Sequence, residues 1–299
     1  MNLLKKTFIL SLTILFFQNI NSCEALKEGF ITTSSGKISY LESEGKGETI
    51  IFLHSNSISK EAFSKQFDEL GQQYHLIAID LPGHGKSDNA IDPVATYSFP
   101  GNAKAVLETL DLLNVKKAIL CGWSIGGHIA IEIAYERPKL VTGLFLTGTP
   151  PIELAPAGFG AGFLPFEGGN MMGQETNFTE EEARKFVAMS GINPDDNHYF
   201  VITGMRTDGN ARKNVFTATF MGKGVNQKEF IQETKTPLAF VYGKQDKGIN
   251  NDYIKSLIYN NLFGIFELDS GHATLWEKSH EFNQLLSEFV DFTKNNQPN

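Results

Sequence analysis

The spacing of apolar residues changes period several times along this chain. From Phe30 to Gly45, apolar and polar positions alternate around Ser34-Ser35-Gly36, which predicts an antiparallel hairpin. Short runs rich in β-branched and other apolar residues then recur: "TIIFLH" from Thr49, "HLIAID" from His75, "KAILCG" from Lys117, "VTGLFLTGT" from Val141, "PLAFVYG" from Pro237 and "GIFELD" from Gly264. Each is short for a helix and has no polar face, as expected of a strand covered on both sides. Helical spacing separates them, at Ala62, Phe63, Phe67 and Leu70, then at Ala105, Leu107, Leu110 and Leu113, and finally at Phe282, Leu285, Leu286 and Phe289. Strands alternating with helices predict a mostly parallel sheet flanked by helices. The alternation stops from about Pro150 to Glu233, which is Gly-rich, then helical, without a buried-strand run. This segment reads as a helical insertion between two strands of one sheet, and its phenylalanines and methionines need a surface to cover.

The run at Lys117 leads into Gly122-Trp123-Ser124-Ile125-Gly126, and an apolar helix pattern follows. A G-x-S-x-G string is weak evidence in a chain with 28 glycines, but strand before and helix after make it specific. On such a turn the serine backbone is strained, its hydroxyl stands above the carboxyl edge of the sheet, and the Ile125 N–H lies at a helix N-terminus. A serine hydroxyl needs a base, and the base needs an orienting acid. In chains that carry their serine on this strand-turn-helix motif those groups come from later strand-end loops, acid before base. Asp246 follows the run ending at Gly243 and His272 follows the run ending at Asp269, so Ser124, Asp246 and His272 are the candidate triad. Asp252 and Asp269 are rival acids, one placed to start a helix and one to end a strand.

The loop after the first buried run reads His54-Ser55-Asn56-Ser57, and the Asn56 N–H is the candidate partner of the Ile125 N–H in an oxyanion hole. Its side chain is either a substrate contact or a turn-forming amide. His54 is read as a brace of this loop, His84 as a structural loop residue and His128 as a packed one. No pair of histidines has H-x-H or H-E-x-x-H spacing, no phosphate-binding glycine motif occurs, and no metal or cofactor is expected.

"DLPGHGKSD", "GWSIGGHIAIEIA" and the Asp246/His272 endings resemble the α/β-hydrolase fold from about Phe30 onward. "AIDPVATYS", "LTGTPP" and "RTDGNARK" narrow the resemblance to the metal-independent N-acyl-homoserine lactone lactonases of that fold. The resemblance implies a serine hydrolase that opens the lactone through an acyl-enzyme, with residues 150–233 as a helical lid. It makes Phe159, Phe163, Phe186 and Met189, with Phe166, Met171 and Met172, candidates to line an acyl-chain tunnel, unless they only pack the lid on the body. It also makes the Trp123 indole N–H a candidate polar contact. The rival enzyme readings are a carboxylesterase or a carbon–carbon bond hydrolase with the same triad. A ligand-binding protein on a hydrolase scaffold is the rival from another class. Dehalogenase and epoxide-hydrolase chemistry would need an aspartate where Ser124 stands.

The formal charge of −8 and the absence of a basic run in the body argue against a nucleic-acid partner, and the resemblance implies a small-molecule acyl substrate. Residues 1–22 carry Lys5 and Lys6, an apolar stretch and "NINS" before Cys23, the pattern of a lipoprotein-type export signal. Residues 23–299 would then be the exported hydrolase domain, periplasmic or anchored to a membrane through a lipidated Cys23. A plain exported form and an uncleaved anchor are the alternatives. Cys121, in a strand run, is read as an inert buried thiol.

Overall fold

Every apolar run read as a strand becomes one. The computed structural model describes residues 26–296, so the export-signal reading and Cys23 lie outside the described residues. The strands are β1 (Lys27–Thr33), β2 (Gly36–Glu42), β3 (Thr49–Leu53), β4 (His75–Ile79), β5 (Ala118–Trp123), β6 (Val141–Thr147), β7 (Leu238–Gly243) and β8 (Leu262–Leu268). They form one sheet in the order β1-β2-β4-β3-β5-β6-β7-β8. The predicted hairpin is there, with Thr33 paired to Gly36 and β1 antiparallel to β2. The β2–β4 pair is also antiparallel, and from β4 to β8 all pairs are parallel.

The sheet is covered on both faces because successive strand residues point to opposite sides. Ile51, Leu53, Leu120 and Leu146 join one apolar layer with Val106, Leu110, Ile129 and Ile133, and Ile50, Phe52, Cys121 and Phe145 join the other with Phe67, Phe282 and Phe289. The body helices that supply these layers are α1 (Ser64–Leu70), α3 (Phe99–Leu112), α4 (Ile125–Glu136), α10 (Asn251–Ser256), α11 (Thr274–Glu277) and α12 (Ser279–Asn295), while the short α2 (Pro93–Thr96) precedes α3 and adds nothing to either layer. Their starts are legible: Ser98 caps α3 by accepting the Gly101 N–H at 3.1 Å, just before Pro100 in the first turn. Phe145 in β6 meets Phe282 of α12 edge-on, with centroids 5.2 Å apart at 88°. Burying such rings contributes roughly 1.5–3 kcal/mol each.

Between β6 and β7 the chain leaves the sheet and forms α5 (Pro156–Gly162), α6 (Glu180–Met189), α7 (His198–Arg206), α8 (Gly209–Phe220) and α9 (Gln227–Glu233). A reciprocal capping box of Thr179 and Glu182 starts α6. The inserted helices are fastened to the body by polar groups. Asp208 accepts the Tyr97 hydroxyl at 2.7 Å. Arg206 donates to the Gly83 carbonyl and Asn89 Oδ1, each at 3.1 Å. Arg212 is fully buried, donates to the carbonyls of Gln174 and Thr176 and to Ser57 Oγ, and lies 3.8 Å over the Phe178 ring. Burial brings its guanidinium down to about 10, still charged at neutral pH.

Candidate active site

The site is built at the carboxyl ends of β3, β5, β7 and β8. Ser124 sits between β5 and α4 with φ 56° and ψ −118°, a conformation that costs on the order of 1–3 kcal/mol for a residue with a side chain. The turn is pinned on several sides. The Ser124 N–H donates to the Thr147 carbonyl at 2.9 Å, and the Ser124 carbonyl accepts the Thr149 hydroxyl at 3.1 Å. Gly126 permits the tight crossing, since a Cβ there would lie 2.1 Å from the Leu53 carbonyl oxygen.

His272 follows β8, and its Nδ1 lies 2.6 Å from Asp246 Oδ2. The other carboxylate oxygen of Asp246 accepts the N–H groups of Gly248 and Ile249 at 3.0 and 3.3 Å. Burial works against the charged form, but the His272 imidazole and these two amides outweigh it and hold the carboxyl below the ordinary aspartate value. The imidazole lies beside the elbow because Gly148, at φ 57°, has no side chain: a Cβ there would be 2.7 Å from His272 Cε1. Glu277 fixes the same loop by accepting the Gly271 N–H with both oxygens, at 3.0 and 3.1 Å.

Ser124, Asp246 and His272 line one cavity of about 490 Å³. The rival acids lie elsewhere: Asp252 is almost fully exposed and pairs with Lys255, and Asp269 accepts the Gln245 side chain. Among the described residues the N–H groups of Asn56 and Ile125 donate to no protein acceptor. An N–H at the first position of α4 has no partner within the helix and favours negative charge. Phe163, Phe186 and Met189 line the cavity, as do Phe166 and Met172, whereas Met171 is buried in the layer beneath. Phe159 lines a smaller recess that shares Ser124, Phe163 and Met172 with the main cavity.

Two expected contacts do not stand. Trp123 is fully buried, its Nε1–H donates to the His272 carbonyl at 3.0 Å, and it lines neither cavity, so the indole braces the histidine loop. Its place in a strand with every residue buried decides this. The Asn56 side chain is turned away too, donating to the Met172 carbonyl at 3.0 Å while its oxygen accepts the Ser57 hydroxyl. Ser57 in turn accepts from Arg212, so the oxyanion loop is tied to the inserted helices. Neither the Arg212 link nor the polar rim at Lys185, Gln245 and Lys247 was read from the sequence. His54 does brace the loop: its Nε2 accepts the Leu81 N–H at 3.0 Å, which leaves Nδ1 to donate to the Ser55 carbonyl at 2.7 Å. Cys121 is a buried free thiol that burial pushes well up.

The arrangement can attack a carbonyl, shuttle the proton and stabilise the resulting oxyanion. N-acyl homoserine lactonase AidH, solved with N-butanoyl homoserine, is 34% identical with a TM-score of 0.86, covering 91% of this chain and 99% of that one. A point mutant of AidH with N-hexanoyl homoserine lactone superposes with a TM-score of 0.85 at 34% identity, covering 90% and 99% of the two chains. A 2-hydroxy-6-oxononadienedioate/2-hydroxy-6-oxononatrienedioate hydrolase of Paraburkholderia phymatum is 24% identical over 292 residues, 91% of this chain and 98% of that protein. The family model for the alpha/beta hydrolase fold matches residues 48–279, and the chain belongs to that family.

Proposed function

We propose that this hydrolase opens the ring of N-acyl-homoserine lactones. Ser124 Oγ attacks the lactone carbonyl and passes its proton to His272 Nε2, while Asp246 holds Nδ1–H and stabilises the imidazolium. The Asn56 and Ile125 amides bind the oxyanion. On collapse the ring C–O bond breaks, His272 returns the proton to the ring oxygen, and water releases the acyl-homoserine from Ser124. The observation that carries this reading is the 34% identity to AidH over nearly all of that protein, whose structures hold this class of ligand. The cavity supports it, because Phe163, Phe166, Met172, Phe186 and Met189 suit an acyl chain.

The likeness to the dienedioate hydrolase supports carbon–carbon bond hydrolysis as a second reading, at lower identity. Ser124→Ala tests the reading. Lactone turnover falls by on the order of 10⁴–10⁶ while the circular dichroism spectrum stays that of the wild type. Activity within tenfold of wild type in a folded variant removes Ser124 from the nucleophile role.

A further inference from the structure

His128 lies one helical turn beyond Ser124 on α4, its N–H donating to the Ser124 carbonyl at 3.2 Å. It is almost fully buried, stacked on Phe99 with centroids 4.8 Å apart, in the wall of the recess behind Ser124. The rest of that recess is nearly all apolar, with Ile125, Ile152, Phe159 and Val215 among its walls. The proton on the ring is placed by Gln227. The Gln227 Nε2 group faces the His128 carbonyl at 3.4 Å, which turns Oε1 toward the imidazole, 2.7 Å from Nδ1. Nδ1 therefore carries the proton and donates, and Nε2 presents a lone pair. Among the described residues no protein group pairs with Nε2, and the imidazole forms part of the recess wall. Burial lowers the imidazole to about 4, so it stays neutral and remains an acceptor at neutral pH.

A neutral acceptor in an apolar recess beside a nucleophile selects a donor. Ring opening of a lactone creates one. Ordinary esters lose their alcohol by diffusion, but here the alcohol stays tethered to the acyl-enzyme through the substrate's own carbon chain. While it lies near His272, it can give up its proton again, attack the ester carbonyl and re-form the lactone, expelling Ser124. The recess is about 20 Å³, room for a hydroxyl-sized group and far too small for an acyl chain, which leaves the N-acyl limb in the larger cavity. His272 lines the larger cavity and not the recess. Three carbons separate the new hydroxyl from the ester carbonyl, about 5 Å at bonds near 1.5 Å. Ser124 and His128 both line the recess, and helical side chains lean toward the N-terminus, the end of α4 at which Ser124 stands.

Building on the lactonase reading, we infer that His128 Nε2 accepts the hydroxyl freed by ring opening and holds it in the recess, away from His272, until water completes hydrolysis. His128 is thus a positioning residue that sets the partition of the acyl-enzyme between acid and lactone.

The methyl ester of N-hexanoyl-homoserine tests this, because loss of methanol gives the same acyl-enzyme with the hydroxyl already free. Initial rates of lactone and acid formation, corrected for uncatalysed closure, give a ratio that does not depend on how much enzyme is folded. The wild type yields mainly acid. His128→Phe raises the lactone-to-acid ratio about tenfold, and His128→Gln, which keeps an acceptor, returns it toward the wild-type value. An unchanged ratio in His128→Phe, or equal ratios in the Phe and Gln variants, overturns the inference while leaving the lactonase reading intact. If the wild type turns over neither the lactone nor the methyl ester, the lactonase reading falls and takes this inference with it.

Discussion

Asp246→Asn separates a catalytic acid from a structural one, and the hydrogen bonds around it fix the outcome. Asp246 Oδ1 accepts two backbone N–H groups, from Gly248 and Ile249, while Oδ2 faces His272 Nδ1 at 2.6 Å. In the asparagine the amide oxygen must stay at the first position, because an NH₂ there would confront two donors. The NH₂ is then aimed at His272 Nδ1 and donates to it. The imidazole is forced to carry its proton on Nε2, where Ser124 needs an acceptor. Shape is preserved and the base is lost, a change that costs about 10⁴ in kcat in a comparable triad, or about 5.4 kcal/mol at 1.36 kcal/mol per tenfold. The assay is kcat on N-hexanoyl-homoserine lactone beside a thermal melt. Asp252→Asn and Asp269→Asn serve as controls that keep wild-type rates. A loss below tenfold in folded Asp246→Asn refutes the argument, and a severe loss in Asp252→Asn moves the acid to that residue.

Glu132, buried on α4, accepts the Val225 N–H at 2.9 Å and is pushed up to about 7 by burial, against 4.5 ordinarily. Its folded-state value lies above its unfolded one, so its contribution is fullest at low pH and is lost as pH rises from about 4.5 to about 7. That loss amounts to up to about 3 kcal/mol. Glu132→Gln keeps the acceptor for Val225, and is expected to raise Tm by a few degrees at pH 8 and to flatten the slope of stability between pH 5 and 7. An unchanged slope contradicts the assignment. At the other end of the chain, we propose that Cys23 is lipidated after signal removal, two or more acyl chains giving firm membrane attachment. Cys23→Ser is expected to release the protein or leave its precursor uncut, and a soluble wild type cut upstream of an unmodified Cys23 contradicts it.

The fold was legible because each buried strand is a short apolar run whose alternate residues feed the two layers, as Ile50 and Ile51 do. The positions of Ser124, Asp246 and His272 were legible for a similar reason: strand ends in a parallel sheet converge at one edge. What the sequence did not disclose are contacts between distant segments. Trp123, beside Ser124 in the chain, is a candidate polar contact by sequence, but its indole N–H is taken by a carbonyl 149 positions on. Arg212, unremarked in the sequence, is fully buried, because Ser57 and the carbonyls of Gln174 and Thr176 converge on it. His128 was read as packed, and packed it is. Its free nitrogen could be located only once Gln227, on another helix, had fixed the tautomer.

The most direct test of the central claim is the ratio of kcat/KM for N-hexanoyl-homoserine lactone to that for p-nitrophenyl acetate, measured on one preparation of the wild-type protein. The triad alone favours the aryl ester, whose leaving group is better, so only the cavity and recess around Ser124 can reverse the order. The account predicts a ratio above one. An enzyme that hydrolyses the aryl ester and leaves the lactone untouched contradicts it and is a general esterase.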